Sequence, residues 1–118
     1  MAKKILIVED NPLNMKLMAD LLESQGHEIF KAVDGEEALE MIEKNDFDLV
    51  LLDIQLPKKS GYEVLRQRKK KPPTIVVSAC CMEDEIDRAK AKGCLDFITK
   101  PIIVAEFLSK INFYLNKN

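Results

Sequence analysis

Two kinds of hydrophobic pattern alternate along this chain. Short, nearly unbroken apolar runs occupy residues 5–8, 49–52, 75–77 and 97–99, with a weaker run at 28–32. Between them, apolar residues recur every three or four positions among charged ones, the spacing of a half-buried helix. Such alternation predicts a parallel sheet covered by helices on both faces, because parallel strands need crossover connections and are then buried on each side. Five strands and five helices are expected in one α/β domain spanning residues 1–118.

The helix ends are marked. Asn11 can cap a helix opening at Pro12, and Leu13, Leu17, Leu21, Met18 and Leu22 supply its expected buried stripe until Gly26 ends it near residue 25. Asp34 with Glu37, and Ser60 with Glu63, have capping-box spacing, each followed by apolar residues at helical intervals (Ala38, Leu39, Ile42; Val64, Leu65). A fourth helix fits 83–92 with Gly93 as terminator, its stripe thin (Met82, Ile86, Ala89). A fifth fits 104–114, with Phe107, Leu108, Ile111 and Leu115 inward. A single domain with no output domain after the fifth helix is expected.

Composition narrows the chemistry. Lysine plus arginine nearly balance the acids, leaving a net charge of -2 that gives no general attraction to nucleic acid or anionic membrane. No apolar run is long enough to span a bilayer or serve as a signal segment, so a cytoplasmic protein is expected. The 3 cysteines, with Cys80 and Cys81 adjacent, suit reduced buried thiols better than a disulfide framework. His27 is the single histidine, which rules out a histidine-rich zinc site and a triad built on a histidine base. Chemistry must therefore run on carboxylates, hydroxyls and lysines.

In a doubly wound sheet, ligands bind beyond the carboxyl ends of the strands. The polar residues at those ends are Glu9 and Asp10 after the first strand, Asp53 after the third, Ser78 after the fourth and Lys100 after the fifth. The second strand offers none, as expected for an edge position in a 2-1-3-4-5 order. Three acids in one crevice would repel one another unless a cation compensated them. Mg2+ suits Asp10, Asp53 and a loop carbonyl such as that of Gln55. With Lys100 and a Ser78 hydroxyl donor, the crevice has what a transferring phosphoryl group needs, and Asp53 is the acid best placed to attack.

The motifs Val8-Glu9-Asp10-Asn11, Leu52-Asp53-Ile54-Gln55-Leu56-Pro57 with Ser60-Gly61, Val77-Ser78-Ala79, and Phe97-Ile98-Thr99-Lys100-Pro101 together resemble response-regulator receiver domains. The resemblance covers essentially the whole chain. It implies a flavodoxin-like (βα)5 three-layer sandwich in which Asp53 is the phosphoacceptor. Asp10 would bind Mg2+ directly, Glu9 largely through water, and Gln55 by its backbone carbonyl. Ser78 and Lys100 would contact the phosphoryl group, and Lys100-Pro101 would be a cis peptide, an isomer accessible only before proline. A histidine kinase or histidine phosphotransferase would supply the phosphoryl group, and a downstream protein would read the result on the face of the fourth helix, fifth strand and fifth helix, with Glu83, Asp87, Lys90 and Asp96 at its surface. Residues 9–14 and 53–57 look most like receivers of hybrid kinases and of stand-alone regulators. The stretch from Gly61 to Ser78 is shorter than usual in the family, predicting a truncated third helix or exit loop.

Several residues have a plainer reading. Ser78 can simply cap the next turn. Phe97 reads as a core aromatic on the last strand, the resemblance equally implies a rotameric switch there, and the two roles are compatible. Arg66 to Lys71 lack interleaved aromatics and fit a solvated face at a helix carboxyl end. An aspartate-nucleophile phosphatase of the haloacid-dehalogenase type would want an acid two residues after Asp53, where Gln55 stands. The expected protein is thus a signalling phosphoacceptor rather than an enzyme acting on a separate substrate. The alternative is a phosphorylation-independent adaptor of the same fold, which would be expected to have lost Asp53, Lys100 or the acidic pair.

Overall fold

The computed structural model describes residues 2–79 and 83–116. Within them run β1 (Lys4–Val8), α1 (Pro12–Ser24), β2 (Glu28–Ala32), α2 (Gly35–Lys44), β3 (Leu49–Leu52), α3 (Gly61–Gln67), β4 (Thr74–Ser78), α4 (Glu83–Ala91), β5 (Asp96–Thr99) and α5 (Val104–Leu115). The strands form one parallel sheet ordered β2-β1-β3-β4-β5, as the strand-end reasoning requires. Alternation along each strand divides the core. Leu6, Val8, Val50, Leu52 and Val76 face Ala38, Ile42, Val64, Leu65 and Ala89 of α2, α3 and α4. Ile5, Ile7, Leu51, Ile75 and Val77 face Met18, Leu22, Phe107 and Ile111 of α1 and α5.

The expected helix caps form. Asn11 Oδ1 accepts the amides of Leu13 and Asn14, Asp34 that of Glu37, and Ser60 that of Glu63. Gly26 and Gly93, at φ 88° and 101°, turn the chain after α1 and α4.

The buried stripe of α1 differs from expectation. Met15, Met18, Ala19 and Leu22 are buried, whereas Leu13 is 79% exposed and Leu17 also faces solvent. Both patterns have helical spacing. The sheet selects the methionine face, and Leu13 and Leu17 stand about half a turn away from it. The basic run is also not wholly a solvated face. Arg68 is 6% exposed, its Nε donating to the Leu65 carbonyl (3.3 Å), Nη1 to the Pro72 carbonyl (3.2 Å) and Thr74 Oγ1 (3.0 Å), and Nη2 to the Gly93 carbonyl (3.4 Å). The third helix is short, at 7 residues, and Arg68 occupies the junction where it stops. Cys94 is a buried free thiol whose pKa is raised by burial, while Cys80, Cys81 and Met82 lie outside the described residues.

Candidate functional site

Register brings the strand ends together. Val8 pairs with Leu52, Leu52 with Val76, and Ser78 with Thr99, so Glu9, Asp53, Ser78 and Lys100 emerge side by side along one edge of the sheet. The ladder continues just past the strands. The Asp53 amide donates to the Val8 carbonyl (3.0 Å), the Glu9 amide to Ala32 (3.0 Å) and the Lys100 amide to Ser78 (3.0 Å). Backbone hydrogen bonding therefore fixes the roots of these side chains.

Lys100 Nζ lies 2.6 Å from Glu9 Oε1 and 2.8 Å from Asp53 Oδ2. Asp53 Oδ1 accepts the Gln55 amide at 2.9 Å, and Glu9 Oε2 accepts that of Asn11 at 3.1 Å. Glu9 is 1% exposed, and Asp53 and Ser78 are also buried, whereas Asp10 and Gln55 are at the surface. Carboxylate oxygens of Glu9, Asp10 and Asp53 lie within 4.8 Å of one another. The Lys100-Pro101 peptide is cis. Phe97 is 7% exposed and belongs to the core cluster of Val76, Ala89 and Cys94, so its ring is already inside the fold.

The electrostatics follow from burial. Glu9 has its pKa raised, first by desolvation and further by the charge of Asp53. Lys100 and the Asn11 amide pull it back without cancelling the rise. Burial alone would lower the Lys100 pKa, but its hydrogen bonds to Asp53 and Glu9 outweigh that and hold the ammonium above its ordinary value.

Glu9 Oε1 is the telling atom. It is buried, and its partner is the Lys100 ammonium at 2.6 Å, which Asp53 shares at 2.8 Å. One ammonium shared by two buried carboxylates, with Asp10 beside them, leaves negative charge in excess, and three carboxylates so close are the donor set of a hard divalent cation. The residues present therefore fit Mg2+: Asp10 and Asp53 as ligands, Glu9 alongside, and one lysine as the standing countercharge.

The response regulator receiver domain family matches residues 5–112. The chain belongs to that family. This receiver is similar to the polar-differentiation response regulator DivK of Brucella ovis, at 42% identity over 98% of each chain. It is also similar in structure to a CheY-like receiver domain protein of Methanospirillum hungatei JF-1 (TM-score 0.92, 29% identity, 99% of this chain and 96% of that one). The receiver domain of a sensor histidine kinase from Pseudomonas aeruginosa PAO1 superposes with TM-score 0.86 at 27% identity over 98% of each chain, and that structure holds a magnesium ion coordinated in its active site cleft.

Sequence reasoning missed some residues that shape the receiver's crevice. The Asn11 amide and Gly61 act through the backbone, and a Cβ at Gly61 would stand 2.5 Å from the Asp53 carbonyl oxygen. Ser60-Gly61 was legible as a motif, but its closeness to Asp53 was not.

Proposed function

We propose that this receiver domain of a two-component response regulator accepts a phosphoryl group on Asp53 from a phosphohistidine of a histidine kinase or phosphotransferase, in a Mg2+-dependent reaction. The observation that carries the reading is the convergence of three carboxylates, Glu9, Asp10 and Asp53, beside the one ammonium of Lys100. Bound Mg2+ would supply positive charge to the phosphoryl oxygens. Asp53 is held in place by the Gln55 amide and Lys100, so its carboxylate is oriented before the donor arrives. One of its oxygens forms the new O–P bond as the donor's N–P bond breaks, the electron pair leaving with the histidine nitrogen. Lys100 then faces phosphoryl oxygens in place of a free carboxylate, and the Ser78 hydroxyl is a donor toward them. Water later cleaves the acyl phosphate, releasing inorganic phosphate and restoring Asp53.

Output to a downstream protein is assigned to the face of α4, β5 and α5. Two features support this. Ala89 is the sole fully buried residue of α4 among those described, so little core packing holds that helix. A cleft of about 960 Å3 runs between β5 and α5, flanked by exposed Ile103 and Phe113. Glu83, Asp87 and Lys90 are exposed there, whereas the Asp96 carboxylate is engaged by Tyr114 (2.8 Å) and Lys110 (3.5 Å). No helix of the described residues is long and apolar enough to cross a membrane. The test is beryllofluoride, an acyl-phosphate mimic, added with Mg2+ while amide chemical shifts are followed. Shifts at Asp53, Ser78 and Lys100 that extend to α4 and β5, and are lost in Asp53→Asn, are expected. Identical shifts in Asp53→Asn would refute the assignment.

A further inference from the structure

We propose that the turn entering α2, Asp34-Gly35, is a positioning element for the β3–α3 loop and so sets the metal-binding geometry at Asp53 and Gln55; the inference rests on reading the crevice as a Mg2+ site. The Asp34 carboxylate is divided between two jobs. Its Oδ1 accepts the Glu37 amide of its own helix at 2.8 Å, while its Oδ2 lies 3.5 Å from Lys58 Nζ on the loop. These contacts hold the Asp34 pKa below its ordinary value, the Glu37 amide more than Lys58. On the helix side the turn is closed again by the Val33 amide donating to Glu37 Oε1 at 3.1 Å.

Gly35 supplies the contact itself. A Cβ there would run into the Lys59 carbonyl oxygen, and would stand 2.6 Å from Lys59 Cβ and 2.8 Å from its carbonyl carbon. Two of these three atoms are backbone, which cannot swing aside as a side-chain tip can. Gly35 does not have a left-handed φ, so the position demands space rather than conformational freedom.

The opposite end of the loop meets the same kind of contact. A Cβ at Gly61 would stand 2.5 Å from the Asp53 carbonyl oxygen and 2.6 Å from Ile54 Cα. The loop following β3 is thus pressed at Lys59 by the start of α2, and at Asp53 and Ile54 by the start of α3. Between these points it is internally tied. The Leu56 and Gly61 amides donate to the Ile54 carbonyl (3.2 and 2.8 Å), and the Lys59 amide to that of Pro57 (2.8 Å). Lys58, at φ 65°, turns the chain in the left-handed region. A loop tied in this way transmits a push at Lys59 to Gln55, whose amide orients Asp53 Oδ1. Gln55, Pro57 and Lys58 are exposed, so the turn at Asp34-Gly35 is the body against which the loop is seated.

The test compares Gly35→Ala with the double variant Asp34→Asn, Lys58→Gln, which keeps net charge and the helix cap, since Asn caps as well as Asp. Mg2+ is titrated into each, with the backbone amides of Asp10, Asp53 and Gln55 followed by NMR. Gly35→Ala should bind Mg2+ about tenfold more weakly, the effect of displacing a support behind metal ligands. Its Gln55 amide should also be displaced before any Mg2+ is added. The double variant should bind roughly twofold to fivefold more weakly, the worth of a largely exposed pair. Arg68→Met, a destabilising change far from the crevice, serves as the control: it should leave Mg2+ affinity untouched, separating lost stability from lost positioning. Wild-type affinity in both test variants overturns the inference, and if Gly35→Ala does not fold, wild-type affinity in the double variant does so alone. Failure of the unaltered protein to bind Mg2+ overturns instead the reading on which the inference rests.

Discussion

Two buried charged regions lie at opposite ends of the sheet, and their chemistry differs. At the amino end of β4, the Arg68 guanidinium is surrounded by three carbonyls and a hydroxyl, with no carboxylate near it in the ion pairs of the described residues. Burial lowers its pKa. At the carboxyl ends of β1, β3 and β5, Glu9 and Asp53 are also buried, and they share the one ammonium of half-buried Lys100, with Asp10 beside them. A buried charge whose hydrogen bonds are largely met is a structural fastener. Two buried carboxylates that share one ammonium, beside a third acid, are poised for a cation.

The largest effect that could break this contrast is on stability. Arg68→Met should cost roughly 2–4 kcal/mol, because it leaves buried carbonyls at the ends of α3 and α4 without donors. Urea unfolding without Mg2+ would measure this, and a loss below experimental error would show that Arg68 is no fastener.

Glu9→Gln should behave in the opposite way. Since burial raises the Glu9 pKa, the folded protein holds a proton there more readily than the unfolded chain does. Ionised Glu9 therefore opposes folding above its folded pKa, and that opposition disappears as pH falls through the folded pKa toward the ordinary value of 4.5. Without Mg2+, the glutamine variant should be at least as stable as the unaltered protein near neutral pH, with the difference closing below about pH 4.5. Its Mg2+ affinity should fall about tenfold. A stability loss matching that of Arg68→Met would erase the distinction between the two regions.

The smallest effect sharpens the picture at the sheet's amino end. His27 Nδ1 accepts the Lys3 amide at 3.2 Å, and burial, with help from the Lys3 charge, lowers its pKa from 6.5. The folded state thus resists protonating it. Its contribution to stability is complete above pH 6.5 and is lost as pH falls from there through the folded pKa. In His27→Gln the slope of stability against pH just below 6.5 should flatten, which thermal melts across that range would detect.

Strand order, helix caps and the residues at the strand ends were legible in the sequence because each rests on local chemistry: Asn11, Asp34 and Ser60 cap where their spacing places them, and parallel alternation puts Asp53 beside Glu9. What was not legible depends on which of two equivalent patterns the tertiary structure chooses. Leu13-Leu17 and Met15-Met18-Leu22 are both helical stripes, and only docking against the sheet decides between them. Arg68 within a run of basic residues carries no mark of burial, since its partners are backbone carbonyls contributed by α3, the β4 approach and Gly93. The contact of Gly35 with Lys59 is likewise invisible, because it joins backbones distant in sequence.

We propose Asp53 as the nucleophile of a Mg2+-dependent phosphoryl transfer. Incubation with acetyl phosphate, followed by intact-mass analysis and by reductive trapping and peptide mapping of the acyl phosphate, tests it most directly. One phosphoryl adduct located on Asp53, formed with Mg2+, suppressed by chelation and absent from Asp53→Asn, is the predicted result. An adduct formed equally by Asp53→Asn, or equally without Mg2+, would contradict it.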